Sequence, residues 1–201
     1  MIEISNKSYS AAMNFNNFHC SLRILGRFSD VELKKIESYV KVISLNKGAF
    51  LLREGHICQS IHFVEKGSLR HYHIDESGLD TTLNLFIETD WAFDYQGFLS
   101  QEPITSCLQA SEDCLLLELN LYDLHKLIKE SDSFFQIMRV LKMKVETQIT
   151  DHLKQSSRDK YLNLISKKPQ VIEKFQLKHI ASYLGITPET LSRVRQNFPQ
   201  N

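Results

Sequence analysis

The rhythm of apolar and polar residues changes along the chain, and each change marks an element. Residues 1–20 are polar and rich in Asn and Ser, which predicts a loosely held arm. Ser29, Asp30, Val31 and Glu32 then form a capping-box pattern, and Val31, Leu33, Ile36, Tyr39 and Val40 continue it as a short amphipathic helix. From Lys41 to Leu119 short apolar runs take over: KVISLN, AFLLR, SIHFVE, SLRHYHI, TTLNLF and CLLLEL, with turns at Gly48, Gly55, Gly67 and Gly78. Ile61 and Phe63 alternate with His62 and Val64, and Leu69, His71 and His73 with Arg70, Tyr72 and Ile74. A period of two predicts two-faced antiparallel strands, and their spacing predicts a β-roll. Residues 121–157 contain no Gly or Pro and read as helix. From Phe134, an apolar stripe of Met138, Leu141, Val145, Ile149 and Leu153 is flanked by Arg139, Lys142, Lys144 and Lys154. A helix of about 20 residues is roughly 30 Å long, more than a small roll can cover. Its outer part is therefore expected to meet a second copy of the chain.

The stretch from Phe175 to Gln196 spells a helix, a tight turn and a second helix. Leu177, Ile180, Ala181 and Leu184 make one buried face, and Gly185 supplies the left-handed residue that ends the first helix. Thr187 is a good N-cap, Pro188 suits the first helical position, and Glu189 suits the positive end of the helix dipole. In the second helix Leu191 and Val194 point to one side, and Glu189, Ser192, Arg193 and Gln196 to the other. That polar face carries the side chains that read base edges in a major groove: Arg for guanine, Glu for a cytosine amino group, Gln for adenine. Thr190 and Arg195 flank it, placed for phosphates.

Net charge is zero, yet residues 134–201 carry twelve Lys/Arg against five Asp/Glu, and residues 1–133 twelve against nineteen. The basic half contains the helical hairpin, and DNA responds to that local field rather than to the average. With 201 residues, 42% of them apolar, the chain can bury one good core and a smaller second one. The N-terminus has no apolar signal core and no stretch approaches a membrane span, so a cytoplasmic protein without a membrane partner is expected. Cys20, Cys58, Cys107 and Cys114 lack C-x-x-C spacing and read as reduced, mostly buried thiols.

The hairpin closely resembles the helix-turn-helix of the cyclic AMP receptor/fumarate-nitrate regulator (Crp/Fnr) family of bacterial transcription factors. The Glu, Thr and Arg of that family's recognition helix fall on Glu189, Thr190 and Arg193. SSRDKYLNLISKKP, with Arg158, Tyr161, Leu162 and Ile165, looks like the first helix of the family's DNA-binding domain. The order helix, roll, long helix, hairpin is also similar, over nearly all of the chain after residue 20. The resemblance implies an α+β fold: a cyclic-nucleotide-binding-like antiparallel β-roll (jelly roll) at 21–133, a long dimerisation helix at 134–157, and a helix-turn-helix domain at 158–201. It implies a homodimeric, sequence-specific transcription regulator, not an enzyme. Its expected partners are double-stranded DNA with a palindromic operator, a second copy of the chain, and RNA polymerase. The expected DNA-binding set is Thr187, Glu189, Thr190, Ser192, Arg193, Arg195 and Gln196. Two departures stand out: Pro188 replaces an Arg that often precedes the Glu, and the sequence stops at Asn201, so no β-hairpin wing is expected. Relatives with an oxygen-sensing iron–sulfur cluster group cysteines near the N-terminus, where this chain has Cys20. No cluster or other cofactor is expected.

In relatives that bind a cyclic nucleotide, a Gly-Glu and, about ten residues later, an Arg followed by Ser or Thr hold the ribose and phosphate. Alignment on the strand through Ala110, Cys114 and Glu118 places Phe93 at the Gly, Asp94 at the Glu, Ile104 at the Arg and Thr105 at the Ser/Thr position. Ile104 cannot neutralise a phosphate, so usual binding of cyclic AMP or cyclic GMP is not expected. Trp91, Phe93, Asp94, Tyr95 and Thr105 could line a pocket for a less charged effector, or the aromatic set Trp91, Phe93, Tyr95 and Phe98 could simply fill the roll. Rival functions are a cupin-like metalloenzyme, on His71 and His73 with Glu76, and a protein-interaction module. The cupin pattern lacks a third His on a later strand, and two surface histidines on a hairpin are the simpler reading. The charge division weighs against the interaction module. No metal site is expected.

Overall fold

A computed structural model describes residues 14–139, 141–142 and 156–196 of the chain. Two four-stranded antiparallel sheets face each other, one ordered β1-β8-β3-β6 and the other β2-β7-β4-β5. The strands are β1 (Lys41–Leu45), β2 (Phe50–Leu52), β3 (Ser60–Lys66), β4 (Leu69–Ile74), β5 (Asp80–Phe86), β6 (Trp91–Ala92), β7 (Cys107–Ala110) and β8 (Cys114–Asn120). The six apolar runs of the sequence supply six of them. β6 adds an edge to the first sheet, whereas β7 lies between β2 and β4 and joins them in the second.

Between the sheets lie Ile43, Leu45, Val64, Leu69, Phe86, Leu108 and Leu116. The opposite face of β3 and β8, with Ile61, Phe63, Leu117 and Leu119, packs under helices α1 (Asn16–Leu25), α2 (Asp30–Glu37) and α4 (Leu121–Glu130). β3 is therefore buried on both faces, and its alternation separates an apolar helix-facing side from a mixed interior side. Ser29 caps α2 in the expected reciprocal box with Glu32. These bonds, led by the Ser29 backbone N–H, hold the Glu32 carboxyl at about 2.

Three sequence expectations need correction. The loose arm does not extend through residue 20, because α1 starts at Asn16 and Phe18 is fully buried against Phe63 and Trp91. An amphipathic helix tolerates polar residues on its wet side, and the density of Asn hid this one. Val31 is 79% exposed, while Leu33 and Ile36 carry the buried face of α2. The helical stretch from residue 121 is interrupted at Ser131, whose backbone is extended and whose hydroxyl accepts from the Ser133 N–H to start a 3-10 turn, Asp132–Phe134. A local serine cap breaks the helix without Gly or Pro. Residues 135–139 and 141–142 are helical again, and Phe134, Ile137 and Leu141 bury into the cluster beneath α1 and α4. Val145, Ile149 and Leu153 of the expected dimerisation stripe lie outside the described residues.

The C-terminal helices are α5 (Ser157–Lys167), α6 (Val171–Lys174), α7 (Leu177–Leu184) and α8 (Pro188–Gln196). They share a third core of Tyr161, Leu164, Val171, Phe175, Ile180, Ala181, Leu184 and Leu191, completed by Leu85 and Ile87 from the roll. Polar contacts surround this junction. Lys168 reaches Asp90 at 2.6 Å, Lys174 bridges Glu88 at 2.8 Å and Glu112 at 2.6 Å, and the Thr82 N–H donates to the Ser182 hydroxyl at 2.8 Å. Burial opposes charge on Lys174, but its bonds to Glu112 and Glu88 outweigh burial and raise its pKa. Beside this junction, β5 carries a bulge. His71 and Tyr72 of β4 face Asn84 and Thr82, so Leu83 is an extra residue, 44% exposed.

Candidate nucleic-acid interface and ligand cavity

The hairpin between α7 and α8 follows its sequence signals closely. Gly185 adopts the left-handed conformation, φ 67°, and the Ile186 N–H donates back to the Ala181 carbonyl at 3.0 Å. The Thr187 hydroxyl accepts from the Thr190 N–H at 3.2 Å and so caps α8. Leu191 is fully buried, which fixes the roll of α8 about its axis. Thr187, Glu189, Arg193 and Gln196 are then exposed, and Thr190, Ser192 and Arg195 are half-buried at the margin. The arrangement presents carboxylate, guanidinium and amide groups on one outer face. Glu189's own backbone N–H and the Thr187 hydroxyl keep its carboxyl below the usual range, so it is a ready acceptor.

In the roll, α3 (Tyr95–Ser100) begins at Asp94. One Asp94 oxygen accepts from the Gly97 N–H at 2.7 Å, and the other meets the Ser106 hydroxyl at 2.7 Å and His71 Nε2 at 3.1 Å. Asp94 is 8% exposed. Burial alone would raise its pKa, but His71, the Gly97 N–H and Ser106 overcome that and hold it at about 2. Ile104 is buried directly against Gly97, where a Cβ would collide with its Cγ2. Apolar side chain thus fills the space beside the first turn of α3.

The antiparallel roll with its short capped helix has known counterparts. Residues 42–131 match the protein family described as Cyclic nucleotide-binding domain. Over these residues the chain is similar to cyclic nucleotide-binding domains. Among solved structures, FixK2 from Bradyrhizobium japonicum is similar with a TM-score of 0.68 at 15% identity, over 79% of this chain and 83% of that one. The Catabolite Activator Protein of Thermus thermophilus gives 0.51 at 20%, over 85% and 83%. A transcriptional regulator described as crp/fnr family, from Eubacterium rectale, gives 0.57 at 18%, over 85% and 83%. All three are related to this chain in fold. No curated protein matches the chain in sequence.

Within the roll, the expected effector residues are not gathered around one opening. Trp91 and Phe98 are buried in the helix-covered cluster, where the Trp91 indole N–H donates to Ser21 at 2.8 Å. Tyr95 packs edge-on against Phe93. Thr105 is exposed, and its carbonyl accepts from His73 Nδ1 at 2.7 Å. Ser106, one residue on, is the hydroxyl turned inward to Asp94. Aromatic filling describes Trp91 and Phe98 well, whereas Phe93 also lines a cavity of about 210 Å³ inside the roll. The reading of His71 and His73 as surface residues holds for neither in full: His71 is 9% exposed and engaged by Asp94, and His73 is half-buried. Among the described residues no cluster of three or more His, Cys, Asp or Glu is placed to hold a metal.

Gln59, Ser60, His62 and Glu118 are polar residues of the cavity that were missed from the sequence, and the last three lie deepest. Ser60 and His62 lie on β3 and Glu118 on β8, where register pairs His62 with Glu118. The signal was available in the alternation: His62 shares the interior side with Val64, a polar residue at a core position.

Proposed function

We propose that the chain is a Crp/Fnr-type transcription regulator that binds DNA as a homodimer and does not take cyclic AMP or cyclic GMP in the usual way. The observation that carries this reading is the outer face of α8, where Glu189, Arg193 and Gln196 stand exposed while Leu191 locks the helix onto a unit joined to a cyclic nucleotide-binding domain. α7 and α8 act as a helix-turn-helix within 158–201, the roll spans 21–133, and 134–157 pairs with its copy in the dimer. A two-fold dimer places two copies of α8 in successive major grooves about 34 Å apart, which requires an imperfect palindrome. Regulation at a promoter brings in RNA polymerase as a further partner, in the cytoplasm. An enzymatic role has no support from the His71 pair, since Asp94 and Ser106 already engage His71.

The refusal of cyclic nucleotide follows from Ile104 and Asp94. The first fills the place beside α3 with hydrocarbon, and the second commits both oxygens to the protein's own donors. A cyclic phosphate there has no cation to meet.

Selection of bound fragments from random DNA, followed by anisotropy titrations on the best site, tests the reading. Arg193→Ala should weaken binding by about 1–3 kcal/mol for each base that Arg193 reads, and should relax preference at that base. Equal weakening on all sequences would make Arg193 a phosphate contact, and absence of any DNA affinity would end the regulator reading. Micromolar binding of cyclic AMP or cyclic GMP in a calorimeter would overturn the second half of the proposal.

A further inference from the structure

The cavity between the two sheets has a chemistry that the nucleotide cassette does not share. Phe50, Leu52 and Leu108 give it an apolar wall, and Ser60, His62 and Glu118 form a polar end. The Ser60 hydroxyl donates to a Glu118 oxygen at 2.8 Å, and His62 Nε2 lies 3.7 Å from the same oxygen. Nε2 is thus the ring nitrogen nearer the carboxylate. Nδ1 is buried without a hydrogen-bond partner, in a residue 8% exposed. The carboxylate is the charged group at this end of the cavity.

The His62 contact, opposed by burial and helped by Ser60, keeps Glu118 acidic and hence ionised at neutral pH. Lys41, its cross-strand neighbour, is exposed and is not among the residues lining the cavity. The polar end therefore offers a carboxylate, the reverse of what a phosphate requires.

We propose that this cavity binds a small amine: an apolar body about the size of one ring, with an ammonium head received by the Glu118 carboxylate. A cavity of about 150 Å³ can hold benzene, so about 210 Å³ accommodates a ring with a short polar arm. Calling the occupant an effector rests on the regulator reading, but its binding does not.

The test is calorimetry on the full chain with benzylamine and, as a matched anion, benzoate. Benzylamine should bind with a Kd on the order of 1 mM and benzoate at least about tenfold more weakly. Glu118→Gln should abolish the preference, and Leu108→Trp, which fills the cavity, should abolish amine binding. Absence of benzylamine binding, equal binding of benzoate, or amine binding unchanged in both variants would overturn the proposal. If Glu118→Gln disturbs folding, the amine-to-carboxylate comparison on the unaltered chain still decides. Amine binding by a chain that has no DNA affinity would uphold the site and remove the regulator reading; DNA binding without amine binding would do the reverse.

Discussion

Leu85→Ala probes the junction between the roll and the C-terminal helices. Leu85 is 2% exposed and completes the core formed by Tyr161, Val171, Ile180, Leu184 and Leu191. Truncation removes the transfer energy of the deleted methyl groups and leaves a cavity, together about 3 kcal/mol for a well-packed leucine. Residues 156–196 form a unit of roughly forty residues, near the lower limit for a self-sufficient core. The loss should therefore fall on them rather than on the roll, whose interior lies on the other side of β5. Hydrogen exchange followed by mass spectrometry separates the two. Amides in α7 and α8 should exchange about a hundredfold faster, since 1.4 kcal/mol is a factor of about ten. Peptides from β3 and β8 should keep their protection. Unchanged rates in α7 and α8, or equal acceleration in both places, would refute the shared core. Leu116→Ala, in the roll interior, provides the opposite control.

Other perturbations test neighbouring claims. Gly97→Ala should destabilise the roll by about 1–3 kcal/mol through collision with Ile104, and Ile104→Ala should relieve much of that in the double variant; additive losses in urea titrations would show that the collision is not the cause. Asp94→Ala should cost about 3 kcal/mol by leaving His71 and Ser106 buried without their partner, and a melting temperature within a degree or two of the parent would count against that network. His179, its pKa lowered to about 4 by burial and by Arg70 and Lys178 against a weaker opposite pull from Asp80, is neutral in the folded chain at pH 7. Its folded pKa lies below the unfolded value of 6.5, so its contribution is complete above pH 6.5 and is lost as pH falls towards 4. Melting curves across that window should slope downward in the parent and flatten in His179→Gln.

Much of the fold could be read from residue patterns because its signals are local. Glycines at turns, the Ser29–Glu32 box, and the Gly185, Thr187 and Leu191 hairpin each depend on a few neighbouring residues. Features that depend on distant partners were less accessible. Phe18 gives no sign in sequence that Trp91 and Phe63 await it, and the Ser131 break depends on a hydroxyl choosing a backbone N–H over solvent. In the candidate sites the same division holds. The polar face of α8 follows from helical period alone, whereas the partners of Asp94 and the pairing of His62 with Glu118 arise from strand order and register. Ile104 was informative early because the absence of a charge is visible without any fold.

The extra residue in β5 has a consequence for how faithfully this strand can be threaded. With Leu83 looped out, Thr82 and Leu85 both face the C-terminal helices while Phe86 joins the interior between the sheets. Were Leu83 taken into the ladder, every residue after it would turn to the other side. Phe86 would leave one core at the same moment that Leu85 left the other. A misthreaded strand therefore forfeits two sets of interactions in a single slip. The bulge that looks like a local irregularity makes the correct register of β5 the one arrangement that satisfies both halves of the molecule.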